Sequence, residues 1–542
     1  MPPVDDAFHV FDTTLRDGAQ REGISYSVAD KLAVARLLDD FGVGFIEGGW
    51  PGALPKDTEF FARAAAGELA LSTAQLVAFG ATRRAGVRVQ DDAQVRALLD
   101  SRAPVVTLVA KSDVRHVAEA LRTTEDENLA MVRDTVAFLV GEGRRVFLDC
   151  EHFFDGYAHD PDYGVLLLET AFEAGASVGV LCDTNGGMLP GRLHAIVADV
   201  ARRSGVRLGI HCQDDTGCAV ANTIAAVEAG ATHVQCTANG YGERTGNADL
   251  FVVVPNLELK LGMTVLPPGR LPEAVRVAHA IAEIANLPPD THQPYVGTSS
   301  FAHKAGLHAS ALKVAADLYS HCDPADVGND TRILVTEMAG RASVELKGRE
   351  LGYDLSAEPE AIGRVVERVK DLESQGWTFE AADASFELLL REELPGGRPY
   401  QFDVESWRTI IEQRPDGTVQ AEATVKVHAG GERIIATREG NGPVNALDNA
   451  LRAALRRTFP DLRRLELVDY KVRILAGRAG TGAVTRVLVT TSDGEREWST
   501  VGVHENVIAA SWTAISEAVA YGLLRLGPAA PPSAPPAAPT VQ

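Results

Sequence analysis

Arg16 and Asp17 stand side by side in the stretch DTTLRDG, residues 12–18, directly after the apolar run FHVF at 8–11. Such a pair suits metal-assisted chemistry on a carbonyl compound. The carboxylate is a hard ligand for a divalent cation, and a fixed guanidinium holds an oxyanion as it develops. Adjacent arginine and aspartate are more commonly a solvated loop contact. The other polar clusters argue against that reading here: EGGWPG (47–52), DCEHFFDG (149–156), DTNGG (183–187), HCQDDTG (211–217) and NGYGERTGNA (239–248). Each leaves an apolar run, as DTTLRDG does. In HCQDDTG, positions 211 and 213 alternate along a strand, so His211 and Gln213 should face the same way.

The elements that must position these clusters are the apolar runs themselves. They fall at 8–11, 43–47, 75–79, 105–109, 145–149, 178–182, 207–211 and 233–237, and amphipathic stretches separate them. Residues 27–41 are typical of those stretches: Ser27 can cap a helix, and Val34, Leu37, Leu38 and Phe41 share one face. Eight strands alternating with helices over roughly 250 residues predict an α/β fold, a (β/α)8 TIM barrel spanning 1–287. Chemistry in such barrels collects at the carboxyl ends of the strands, where all six clusters lie.

After 287 the alternation stops. Residues 288–400 read as helical linker subdomains and carry His303 and His308. Residues 401–526 give strands and then a helix, twice over, the pattern of a duplicated α+β domain. The Pro/Ala-rich residues 527–542 read as a disordered tail.

Composition narrows the partners. A formal net charge of -22 opposes binding to nucleic acid or to an anionic membrane surface. The amino-terminal residues have no basic and apolar secretory pattern, and no apolar run reads as long enough to cross a bilayer. Six scattered cysteines without CxxC spacing are expected to be free thiols, which fits the cytoplasm.

Taken together, DTTLRDGAQREG, FIEGGWPG, LCDTNGG, IHCQDDTGCAVAN, NGYGERTGNA, FAHKAGLHAS, GNGPVNAL and DYKVRIL resemble the family of 2-isopropylmalate, homocitrate and citramalate synthases, within the DRE-TIM metallolyase superfamily. The resemblance covers nearly the whole chain. EGGWPG, VAFGATRR and CEHFFDGY are most similar to the citramalate branch. The resemblance implies a Claisen condensation of acetyl-CoA with a 2-oxo acid, followed by thioester hydrolysis. For that branch the acid is pyruvate, the product is (R)-citramalate, and the pathway is isoleucine biosynthesis. Two alternatives stand beside it: 2-isopropylmalate synthesis from 2-oxoisovalerate, and a non-catalytic paralogue that binds a branched-chain amino acid.

Carried over by position, the resemblance makes Asp17 and His211 ligands of a divalent metal, with Gln213 and Asn247 completing or adjoining the set. Arg16 would bind the substrate and its oxyanion, and Thr184 the substrate carboxylate. Glu151, His308 and Tyr319 are the candidate bases. The last two would reach the active site of a neighbouring subunit, which implies a homodimer. The final domain would bind isoleucine, or leucine in its place, near Gly440, Asn441, Gly442, Pro443, Val444, Asn506 and Val507. One position departs from the family's HxHND pattern: Gln213 offers a neutral oxygen in place of imidazole. That favours Mg²⁺ or Mn²⁺ over Zn²⁺. Glu47 and Asp12, at strand ends, are expected to orient Arg16 or the metal ligands, and His233 to pack.

Overall fold

The computed structural model of the chain describes residues 6–397, 401–475 and 480–526. The tail expected to be disordered lies outside the described residues. Eight parallel strands form a closed barrel: β1 (His9–Asp12), β2 (Phe45–Glu47), β3 (Gln75–Ala81), β4 (Val105–Lys111), β5 (Arg145–Glu151), β6 (Val178–Asp183), β7 (Leu208–Cys212) and β8 (His233–Cys236). Each strand pairs with the next, and β8 closes on β1 with Val234 opposite Val10.

Both faces of these strands are buried, which is why they read as continuous apolar runs. Phe11, Phe45, Val77, Val105, Phe147, Val178, Val180 and Cys182 fill the barrel interior. Their neighbours in sequence, among them Val10, Ile46, Ala78, Leu148 and Ile210, pack outward into the core beneath the helices. The helix Val28–Phe41 starts where its capping residue dictates: Ser27 and Asp30 each accept from the other's backbone N–H. It stops at Gly42, whose φ of 100° is open to glycine and strained for other residues.

The chain forms two compact units. The first is the barrel through Phe301 together with Ser320–Thr331; the second is Ala302–Tyr319 together with the described residues from Arg332 onward. In the second unit, β9 (Ala302–His303) pairs with β10 (Arg332–Ile333). Helices Arg341–Glu350, Pro359–Ser374 and Asp383–Glu393 then close over a core that includes Val344, Val365, Phe379 and Phe386. Two antiparallel three-stranded sheets follow. The first is β11 (Phe402–Gln413), β12 (Val419–Ala429) and β13 (Glu432–Gly440), continued by the helix Pro443–Leu455. The second is β14 (Glu466–Ile474), β15 (Thr485–Ser492) and β16 (Glu497–His504), continued by the helix Val507–Leu526. This is the duplicated α+β pattern expected from the sequence.

One expectation needs correction. The helix Val507–Leu526 is long and apolar enough to cross a bilayer, although no such run was read from the sequence. Its residues Ile515, Val519 and Leu523 instead join Leu447, Leu451, Val487 and Val489 in the core of the duplicated domain.

Candidate active site

The loop leaving β1 is shaped by Asp12, whose carboxylate accepts from the backbone N–H and the hydroxyl of Thr14, both at 2.9 Å. The turn carries Arg16 and Asp17 into a cavity of about 640 Å³ at the carboxyl end of the barrel. Arg16 is fixed from three sides. Its Nε donates to Glu47 Oε2 at 2.6 Å, its guanidinium carbon lies 4.0 Å from the Phe79 ring centroid, and Nη1 is 3.8 Å from Asp17 Oδ1. Burial pushes Glu47 up to about 7 against the pull of Arg16. Burial would raise Asp17 too. There the Arg16 charge and the side chains of His211 and Asn247 outweigh it, holding the carboxyl well below its ordinary range.

His211, near the end of β7, has its orientation set from behind. Gln235 Nε2 donates to Asp149 Oδ1 at 2.8 Å, which leaves Gln235 Oε1 to face His211 Nδ1 at 2.9 Å. An amide oxygen only accepts, so Nδ1 carries the proton and Nε2 points to Asp17 Oδ2, 3.3 Å away. Gln213 Nε2 sits 3.2 Å from the same carboxylate oxygen and 3.3 Å from His211 Nε2. Gln213 Oε1 is buried without a hydrogen-bond partner, and so is Asn247 Oδ1, whose amide nitrogen donates to Tyr241 O at 2.9 Å.

A carboxylate, an imidazole nitrogen and two amide side chains with partnerless oxygens thus lie together. Buried oxygens without partners are costly, and a hard divalent cation would satisfy both. The residues present therefore fit such an ion. Among the described residues no group of three or more His, Cys, Asp and Glu could hold a metal, and at this site two of the four side chains are amides.

Glu151 and Thr184 line the same cavity as Arg16, Asp17, His211 and Gln213. Thr184 Oγ1 accepts from the His152 backbone N–H at 2.8 Å, so its own proton is free to donate into the cavity. Sequence reading did not single out Lys111, Asp149 or Phe79, which also line it. For Lys111 the available signal was a lone lysine closing an apolar strand. Trp50 lines the cavity and donates Nε1 to Gln94 Oε1 at 2.7 Å. Arg244, with φ of 53°, staples three strand-exit loops: it grips Asp215 through Nε and Nη2, and donates Nη2 to Thr184 O at 2.8 Å.

The other candidate bases are not on the barrel. His308 and Tyr319 belong to the second unit and stack on each other, with ring centroids 4.1 Å apart. Asn441, Gly442, Pro443 and Val444 line a separate cavity of about 810 Å³ in that unit, with Asp448, Arg452 and Tyr470. At Gly440 a Cβ would meet Ala446 N at 2.5 Å, so only glycine fits there. Asn506 caps the helix that begins at Val507, accepting from Ile508 N at 2.9 Å and Ala509 N at 3.2 Å.

Comparison with known proteins gives three consecutive matches. Residues 7–280 match the HMGL-like family, 295–376 the homocitrate synthase post-HMGL domain, and 380–523 the LeuA allosteric (dimerisation) domain. The (R)-citramalate synthase of Streptomyces coelicolor is 68% identical over 526 residues, covering 97% of this chain and 98% of that one. The chain belongs to the citramalate synthase family. Family relatives of the same name from Synechocystis and Aquifex aeolicus are 49% and 46% identical, each over 95% of this chain and over 96% and 98% of their own. All the barrel residues named above fall within the family's HMGL-like span, and the cavity at Asn441 falls within its LeuA span.

Proposed function

We propose that this chain condenses acetyl-CoA with pyruvate and hydrolyses the thioester to give (R)-citramalate and CoA. The observation that carries the reading is the convergence of Arg16, Asp17, Thr184, His211, Gln213 and Glu151 on one cavity, in a chain 68% identical to a citramalate synthase. Asp17, His211, Gln213 and Asn247 would hold a divalent cation, which when bound polarises the ketone as a Lewis acid. The oxygen-rich donor set favours Mg²⁺ or Mn²⁺ over Zn²⁺.

Arg16 is held rigid by Glu47 and Phe79. It donates to the ketone oxygen as that oxygen becomes an alkoxide, so it does not have to reorganise at the moment of reaction. Thr184 donates its hydroxyl proton to the pyruvate carboxylate. Glu151 removes a proton from the acetyl methyl, a role typically worth about 10²–10⁴-fold in rate. Its place in the same cavity as Arg16 supports it over His308 and Tyr319. Those two would act on a neighbouring copy's site in a homodimer built through the LeuA domain. The barrel (1–287), linker (288–400) and regulatory (401–526) segments would then divide catalysis, reach and control. Isoleucine would bind the second unit's cavity at Asn441–Val444 as feedback effector. All six cysteines are free, which supports a reducing cytoplasm.

The test follows CoA release with each 2-oxo acid, with and without a chelator. The expected result is turnover on pyruvate faster than on 2-oxoisovalerate, lost with the chelator and restored by Mg²⁺ or Mn²⁺. Faster turnover on 2-oxoisovalerate would reassign the chain to 2-isopropylmalate synthesis. Isoleucine binding with no turnover on either acid would make it a binding paralogue.

A further inference from the structure

The condensation just described generates two oxyanions on different molecules: the enolate of the thioester, and then the alkoxide of the ketone. Arg16 can serve only one of them. It is held beside Asp17 by Glu47 from β2 and Phe79 from β3. Nothing assigned so far meets the enolate oxygen.

On the opposite side of the cavity, β4 ends at Lys111 and β5 ends at Glu151, paired directly in register. The ammonium and the carboxylate are in hydrogen-bond contact, and both side chains are about a quarter exposed. Their backbones are locked in place. Ser112 donates its N–H (3.2 Å) and its hydroxyl (2.7 Å) to the Glu151 carbonyl. Asn128 Nδ2 donates to the Lys111 carbonyl at 2.9 Å and to Tyr163 Oη at 2.8 Å. Other cations of the rim are committed elsewhere: Arg83 to Glu127 and Asp134, Arg244 to Asp215. Lys111 is instead paired with the very carboxylate that must be released to act as base.

We infer that Lys111 is a catalytic residue, its ammonium holding the thioester carbonyl oxygen while Glu151 deprotonates the adjacent methyl. This rests on the acetyl-CoA reading above and completes it. The spacing suits the task, because the methyl hydrogen and the carbonyl oxygen flank a single carbon–carbon bond, as the touching carboxylate and ammonium would require. Glu151 takes the proton. The C–H pair becomes the C=C bond, and the carbonyl π pair moves to the oxygen facing Lys111. The enolate C=C pair then forms the new C–C bond to the ketone carbon, while the pair on the oxygen facing Lys111 re-forms the thioester carbonyl. The ketone's π pair goes to the oxygen facing Arg16, which carries the charge as the alkoxide. Each atom and electron pair is accounted for, and no further reactant is needed.

The test compares the full-length wild type with Lys111→Met, Lys111→Arg and Glu151→Gln. CoA release is measured against both substrates, together with the kinetic isotope effect on kcat with acetyl-CoA deuterated at the methyl. Pyruvate binding is followed by calorimetry in the presence of Mg²⁺. Lys111→Met is expected to lower kcat about 10²–10³-fold. Its pyruvate affinity should stay within about threefold of wild type, and its isotope effect should rise as proton removal becomes slower. Lys111→Arg should recover part of the loss. A pair that merely braces the rim predicts otherwise. Unchanged kcat, an unchanged isotope effect, or pyruvate affinity lost in proportion to rate would each overturn the role of Lys111. Should Lys111→Met fold poorly, Lys111→Gln is read in the same way. A wild type that releases no CoA from acetyl-CoA and pyruvate fails at an earlier step, and that result identifies the substrate reading as the error.

Discussion

Both ends of the barrel bury histidine, and the surroundings give it opposite character. At the amino ends of the strands, His9 and His233 bring their Nδ1 atoms to 3.2 Å among aromatic rings. The Phe45 centroid is 4.7 Å from that of His9, and the Phe147 centroid 5.2 Å from that of His233. Burial pushes His9 down to about 4 and His233 well below the ordinary imidazole value, so both are neutral packing groups. At the carboxyl ends, His211 is also buried, and burial alone would lower it. The carboxylate of Asp17 outweighs that and holds it above its ordinary value. His9 also has a carboxylate beside it, Asp6 at 3.0 Å, but burial and the charges of Arg207 and Arg145 prevail there. At His211, Asp17, 3.3 Å away, and Asp149 together reverse the sign. One end packs its imidazoles among aromatic rings, where His233 Nε2 is itself buried without a partner. The other crowds Asp17, Glu47 and Asp149 together and leaves the Gln213 and Asn247 oxygens without partners. Such crowding costs stability, and a binding site is the usual reason for accepting it.

If that division of labour holds, substitutions at the two ends should separate activity from stability. The largest effect is expected at Asp17. Asp17→Asn should reduce CoA release about 10³-fold or more. Its melting temperature should fall, because the charged carboxylate is favoured in the fold by Arg16, His211 and Asn247. The fall should be smaller than that of an interior aromatic deletion, because crowding with Glu47 and Asp149 is relieved. A fall in melting temperature as large as that of an interior aromatic deletion would break the comparison. Next comes the amino end itself. Phe147 is wholly buried in the barrel interior, so Phe147→Ala should cost about 3–5 kcal/mol. It should leave kcat per folded molecule unchanged. The loss is read as a shift of the barrel's own unfolding transition, because a chain of two compact units need not melt in one step.

How much of this was legible in sequence depended on whether a residue's meaning was local. The barrel order could be read because each strand is apolar on both faces and each exit is polar, and Ser27 could be read because its capping partner Asp30 is three residues on. The Arg16–Asp17 pair was visible by adjacency, and the structure puts both in the cavity with His211. Lys111 was not visible, because it acquires a partner only through strand register, 40 residues from Glu151. Gln235 sits inside an apolar strand and matters only through His211, 24 residues earlier. The helix Val507–Leu526 escaped notice as an apolar run because serines, threonine, glutamate and arginine interrupt it. His308 and Tyr319 could be picked by motif, but spacing carries no information about a second compact unit.

The smallest predicted effect tests whether a buried carboxylate at the stable end behaves unlike those in the cavity. Asp39 lies in the last turn of Val28–Phe41, an unfavourable place for a negative charge beside helix carbonyls. It is only 4% exposed, yet it is well satisfied. Its oxygens accept from Ser72 N (2.8 Å), Ser72 Oγ (2.8 Å), Thr73 N (2.8 Å) and Ala74 N (2.7 Å), fastening the segment that enters β3. Burial would raise this carboxyl, and the four donors outweigh it and hold it below its ordinary value. With the folded value below the unfolded one, the stabilisation is complete above the unfolded value of about 4 and is lost as pH falls through the folded value. Asp39→Asn keeps one acceptor oxygen and turns an amide N–H₂ toward donors on the other side. It should therefore cost about 2 kcal/mol at neutral pH, leave kcat unchanged, and converge with wild type in stability as the pH drops below about 4. Parallel stability curves across that range would mean that Asp39 acts by shape alone, and the distinction between settled and unsettled carboxylates would lose its support at this end of the barrel.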